Sequence, residues 1–308
     1  MTAADAPTLA QFFEAWDLFR DPALSGAVAG ALLGWLGVYV VLGRMVFLSA
    51  ALSQAAGLGV ALAFWAGAAA GTAGASTGAS WLSPWLGSIG MTGLATLLLL
   101  ADRSPGGIRR EAALGFAYLA GAAGTLAVGT RIAAEAHDID TLLFGSAVAV
   151  VPGDFRLLLA VAAGLLLLHA WTVRGMAQAA FSSEAARVRG LPVGLLRILL
   201  FGSLAVAISV CTRVIGALPV FALSVLPAVA ATRLAPSVRG ALLLATVFGA
   251  LSGFAGYVVA FLYSLPVGAS QTLLAAVLVA AAFLAGLPAS LRMRAARYRR
   301  GIAGPGTP

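Results

Sequence analysis

From Ala23 to Leu287 this chain is a succession of apolar runs, each near the length of a membrane-crossing helix, parted by short turns that hold most of the charge. Crossing a hydrocarbon core about 30 Å thick takes about 20 helical residues. Runs of that order lie at Ala23–Gly43, Val46–Gly71, Trp85–Ala101, Ala112–Gly129, Phe155–Val173, Val193–Cys211, Val214–Ala231, Arg239–Tyr263 and Ser270–Leu287. With 61% hydrophobic and only 10% charged residues, the chain has too few polar side chains to cover a water-facing surface. The sequence therefore predicts an all-α, polytopic integral membrane protein of about eight to ten transmembrane helices. The weakest divide is Cys211 to Arg213, where a short or broken helix in protein surroundings fits as well as two full spans.

Charge sets the orientation. All nineteen basic residues are arginine. If Arg44, the 102–111 loop, the 174–197 segment, the 233–239 loop and the tail from Arg292 share one side, that side holds fifteen of them. The other side holds Arg20, Arg131, Arg156 and Arg213. The bias predicts the N-terminus outside and the C-terminus in the cytoplasm. Three parts follow: an amphipathic interfacial segment over 1–22, a transmembrane domain over 23–290, and a basic cytoplasmic tail over 291–308. In the first, Leu9, Phe12, Phe13, Trp16 and Phe19 recur at helical spacing, with Gln11, Glu14 and Asp17 on other faces. The pI near 10.9 reflects basic loops that meet anionic lipid and acidic partners, and no aromatic-plus-basic pattern points to nucleic acid.

Absences narrow the chemistry. Without lysine there is no phosphate-cradling Gly-x-x-x-x-Gly-Lys loop, so the chain does not power itself by that route. No acid occurs between Asp21 and Asp102 or after Glu184, and Glu111 and Asp154 fall at span ends, which disfavours a self-sufficient ion-coupled carrier. Cys211 is the single cysteine, read as a small buried hydrophobe. His169 sits in the apolar run LLLLHAW and reads as an interior histidine. His137 lies in AEAHDID, where Glu135, Asp138 and Asp140 read as solvated charge, and two histidines cannot build a three-histidine site. Gly268-Ala269-Ser270 with His169 is the one loose serine-hydrolase pattern, and Gly-x-Ser is common by chance in so glycine-rich a chain. No cofactor and no confident metal ligand follow from the sequence, and the chain reads as a non-enzyme.

Five segments carry a resemblance. Arg44–Phe64 contains Ser49-Ala50-Ala51-Leu52-Ser53-Gln54-Ala55, and TLLFGSAVAVVPGDF occupies Thr141 to Phe155. FSSEAARVRGLPV follows at Phe181 to Val193, VIGALPVFALSVLPAVAATRL at Val214 to Leu234, and YSLPVGASQTLL at Tyr263 to Leu274. In order and spacing these resemble the permeases of the metal-type (zinc/manganese) ABC transporter family. In that family the helix comparable to Arg44–Phe64 typically reads Gly-Asp-x-Leu-x-His-Ala, and this chain has Ala50 at the acid position and Gln54 at the histidine position.

The resemblance implies a membrane-spanning permease in a bacterial plasma membrane. It would pair with a second permease copy or paralogue, receive substrate from an extracytoplasmic solute-binding protein, and leave ATP hydrolysis to cytoplasmic ABC ATPase subunits. It places Ala50, Ser53, Gln54, Gly216 and Pro227 on the substrate path, and Phe181, Glu184, Ala185, Arg187 and Gly190 at the ATPase contact. Physically, the latter segment is an Ala-rich turn of helix that Gly190 ends as a left-handed cap, and Pro227 kinks an apolar helix. Ala50 and Gln54 share a helix face, yet alanine offers no ligand and a neutral amide is weak for zinc beside imidazole or carboxylate. Three readings of the substrate stay open: a metal permease using backbone or partner ligands, a ligand-deficient half of a heterodimer, and a relative that moves something other than a metal. A regulatory membrane subunit without transport is the different class.

Overall fold

The computed structural model describes residues 7–69, 83–101, 107–132, 150 and 152–302, and every regular element among them is helical. Helix α1 (Leu9–Glu14) is followed by α2 (Trp16–Leu42), α3 (Val46–Ala69), α4 (Pro84–Ala101), α5 (Gly107–Ile132), α6 (Pro152–Phe181) and α7 (Ser183–Val188). Then come α8 (Val193–Ile215), α9 (Ala217–Leu234), α10 (Val238–Tyr263) and α11 (Val267–Ile302). Eight of them are long and apolar enough to cross a membrane, and a ninth apolar stretch, Pro84–Leu100 in α4, falls just below that length. These nine coincide with the nine apolar runs of the sequence.

Burial sorts the helices into a centre and a rim. Helices α2, α3, α8 and α9 are mostly buried, while α5, α6 and α11 turn large side chains such as Phe116, Leu167, Trp171 and Leu273 outward. Outward leucine and phenylalanine are what a hydrocarbon solvent favours; inside, hydropathy gives helices no reason to prefer one another over lipid, so close packing has to. The tightest seam is α2 on α10, and it is made of small residues. A methyl added at Gly30 would lie 2.6 Å from the carbonyl carbon of Gly249, and one at Gly34 would lie 2.9 Å from that of Ala245. At Gly26 it would lie 2.8 Å from the carbonyl oxygen of Gly253. The partner numbers fall as the α2 numbers rise, so the two helices are antiparallel. Polar stitches add to this: across α4 and α8, Ser88 Oγ donates to the Ser209 carbonyl at 3.0 Å, and the Thr92 and Ser209 hydroxyls pair.

Two boundaries differ from the sequence reading. The divide placed at Cys211–Arg213 lies instead at Gly216, whose φ of 88° and ψ of 163° suit glycine alone. Arg213 remains inside the last turn of α8 because its charge is paired there. At the N-terminus the helix of the first span starts at Trp16, not beyond residue 22, and passes through Pro22. Thr8 caps α1 in a reciprocal box with Gln11, and Phe12, fully buried, meets Phe19 of α2 and Phe261 of α10 with ring centroids 5.5 and 5.3 Å apart.

The α2–α3 turn holds a local cost. Arg44 adopts φ 53°, the left-handed position that follows a helix end, while Met45 N–H bonds the Val40 carbonyl at 2.9 Å and Arg44 N–H bonds that of Val41 at 3.1 Å. A side chain there costs on the order of 1 kcal/mol relative to glycine. Arg44→Gly is accordingly expected to raise the unfolding temperature of the detergent-solubilised protein by about 2–4 °C. An unchanged or lowered temperature would refute the assignment of strain.

Candidate functional site

Two groups of residues were singled out by sequence, and the structure sets them at different places. The first centres on α3, which is buried over most of Leu48–Ala63. Ala50, Ser53 and Gln54 are 2%, 0% and 8% exposed. Ser53 spends its hydroxyl on its own helix, donating to the Ala50 carbonyl at 2.9 Å. Gln54 packs on α5, where a methyl at Gly121 would come within 2.8 Å of the Gln54 carbonyl carbon, so only glycine lets the helices approach this closely. Its amide oxygen Oε1 is buried with no hydrogen-bond partner among the described residues. That is costly in an apolar interior, by a few kcal/mol or so. A buried acceptor of this kind is available to a water or a cation.

One turn along α3 from Gln54, Gly57 faces Thr125 of α5 and Ala217, the first residue of α9. The α8–α9 break at Gly216 is thus brought against the Gln54 stretch of α3. Pro227 is not: it lies about 15 Å further along α9 by helical rise, on the stretch whose Ser224 and Ala228 pack against Gly37 of α2. Gly121 and Thr125 were not foreseen, and the small-residue spacing Gly121-x-x-Gly124-Thr125 is the signal that could have marked α5 as a close-packed partner. The described neighbours of the Gln54 and Gly57 stretch, Gly121, Thr125 and Ala217, carry no charge. Among the described residues no group of three His, Cys, Asp or Glu gathers to hold a metal. His169 sits on α6 with its ring 5.5 Å from Tyr39 of α2, and Ser270 donates to the Pro266 carbonyl, so the loose serine–histidine pattern does not assemble. His137, Glu135, Asp138 and Asp140 lie outside the described residues, as does most of the Thr141–Phe155 segment.

The second group is α7, a six-residue helix held off the bundle between α6 and α8. Ser182 takes an extended backbone and accepts the Ala185 N–H on its hydroxyl, capping the N-terminus. At the other end Gly190 has φ 74°, its N–H bonds the Arg187 carbonyl at 2.9 Å, and Leu191 N–H bonds that of Ala186 at 3.1 Å. This double bond pattern closes a helix at a left-handed glycine, as the sequence predicts. Ala186 is the one buried residue of α7 and anchors it, leaving Glu184, Ala185, Arg187 and Gly190 exposed. Phe181 is 77% exposed at the mouth of a groove of about 280 Å³ that Gln178, Ser182, Ala185, Arg189 and Val238 also line. An exposed phenylalanine thus stands beside an open groove, flanked by both signs of charge.

The model of the ABC 3 transport family fits residues 16–286, from the first residue of α2 into α11. The chain belongs to that family. It is a multi-pass membrane protein, similar over 267 residues at 27% identity to the manganese transport system membrane protein MntC of Halalkalibacterium halodurans, covering 86% of each chain. The manganese import system permease protein ScaB of Streptococcus pneumoniae is 26% identical over 260 residues, 84% of this chain and 87% of that one. Among solved structures, PsaBC from Streptococcus pneumoniae in complex with Fab shares the fold, with a TM-score of 0.75 at 24% identity over 90% of this chain and 95% of that one.

Proposed function

We propose that this ABC 3 family member is the permease subunit of an importer for a divalent metal, manganese or zinc, and that it supplies path and coupling while partner ATPases supply the energy. The observation that carries the reading is that relatives named as manganese permeases align with this chain across the whole bundle. Two permease chains enclose the path, a solute-binding protein delivers substrate on the side of the N-terminus, and two ATPases dock on α7 through Phe181, Glu184, Ala185 and Arg187. The excess of arginine on the α7 side supports a cytoplasmic position for that side and for the C-terminus in a bacterial plasma membrane.

The metal meets a neutral wall in this chain. Ala50 contributes no ligand, and Gln54 contributes one amide oxygen, a hard donor better suited to manganese than to zinc. The remaining ligands come from backbone carbonyls or from the second permease chain. The uncharged face of α3 equally favours a heterodimer in which a paralogue carries the acid and the imidazole.

Deleting the gene is expected to lower cellular manganese or zinc severalfold under starvation for that metal while leaving magnesium unchanged. Normal contents of both metals would sink the proposal. Purifying the tagged complex from its native membrane distinguishes the two arrangements, since a homodimer yields one permease band and a heterodimer two.

A further inference from the structure

Three helix ends converge at the end of the bundle opposite α7. Asp154 stands in the first turn of α6, Arg213 in the last turn of α8, and Trp85 is the second residue of α4. Arg213 Nε donates to Asp154 Oδ2 at 3.2 Å, its terminal nitrogen Nη2 lies 3.2 Å from the same oxygen, and its guanidinium carbon sits 4.7 Å over the Trp85 ring. Both side chains are about four-fifths buried, at 22% and 19% exposure. Each charge also meets a favourable helix end, the acid at an N-terminus and the base at a C-terminus. Removing one partner of so buried a pair leaves the other charge uncompensated, which is strongly unfavourable.

What this contact holds is an elbow. Three residues after Arg213 the chain breaks at Gly216, in a backbone conformation that glycine alone adopts readily, and α9 begins with Ala217 against Gly57 of α3. We infer that the Arg213–Asp154 pair, seated on Trp85, is a latch that holds the α8–Gly216–α9 elbow closed against α3 and releases it when the path opens at the end remote from α7. Asp154 and Arg213 are positioning residues; Asp154 lies about 40 Å from the end of α6 that leads into α7 by helical rise. The latch rests on the transport reading for its role in a cycle, though its contacts stand independently of it.

The protein carries its own reporter. Cys211, the only cysteine in the sequence, is fully buried two residues before Arg213. In the purified full-length permease its reaction with methyl methanethiosulfonate is expected to be slow, and Asp154→Asn is expected to speed it about five- to tenfold by populating the open elbow. The charge-swapped double variant, Asp154→Arg with Arg213→Asp, remakes the pair but opposes both helix ends and leaves the Trp85 ring, so labelling between the wild-type and Asp154→Asn rates is expected. General loosening of the fold would instead leave labelling of the charge-swapped variant as fast as that of Asp154→Asn. Should Asp154→Asn fail to fold, Arg213→Lys keeps the charge and loses the fork and the ring stacking, and intermediate labelling is then expected. Labelling of folded Asp154→Asn or Arg213→Lys at the wild-type rate overturns the latch. That result is distinct from failure of the transport reading, which shows in cellular metal content and leaves Cys211 labelling untouched.

Discussion

Gly30→Val is expected to prevent the bundle from assembling. The position has no slack: even the methyl of alanine would sit 2.6 Å from the carbonyl carbon of Gly249, and the obstruction is backbone, which cannot rotate away as a side chain can. Valine at that point forces α2 and α10 apart along their whole seam and opens the neighbouring close approaches at Gly26 and Gly34. The loss exceeds the ordinary cost of overpacking and is put at more than about 3 kcal/mol. Size-exclusion chromatography of the fluorescently tagged protein in detergent should show the monodisperse peak gone. Gly164→Ala is the matched control, since Gly164 lies in mid-helix with open space around it. It is expected to keep the wild-type profile and to gain a few tenths of a kcal/mol or so. A folded Gly30→Val protein would show that the α2–α10 seam is not as tight as described.

Glu184→Arg is expected to reduce ATPase co-purification and permease-stimulated ATP hydrolysis more than about tenfold without unfolding the permease. Glu184 is exposed in the first turn of α7, where its charge complements the helix N-terminus, and it makes no hydrogen bond or ion pair among the described residues. Reversing its sign costs the local helix only about 0.3–1 kcal/mol but presents the wrong charge to whatever docks in the groove beside Phe181. The thermal midpoint of the isolated permease should therefore move by no more than about 2–4 °C. Retained association and stimulation would remove α7 from the coupling surface. A collapse in stability would mean that Glu184 supports the fold.

The extent to which these sites were legible differs between them for physical reasons. Helix α7 and its stop at Gly190 could be read from the chain because they are local; the cap at Ser182, equally local, was not foreseen. The Gln54 neighbourhood could not be read this way. That Gln54 is buried follows from the cost of an unpaired amide in hydrocarbon, but its contact with Gly121 depends on which helix packs against α3. The elbow at Gly216 was misplaced because a charged residue inside an apolar run ordinarily marks its end. Arg213 does not, because Asp154 and Trp85 neutralise and cover it, and those two come from helices far away in sequence.

By itself the sequence determined that this is a membrane bundle of about nine helices, because apolar length and internal satisfaction of the backbone are properties of each segment alone. It also carried the family resemblance and the absence of charge at Ala50 and Gln54. Only the tertiary structure decided that Gly26, Gly30 and Gly34 lie against α10, that Gly57 meets Ala217, and that Arg213 closes on Asp154. Lipid and protein interiors are equally apolar, so hydropathy does not choose a helix's neighbours; shape and the pairing of the few polar groups do.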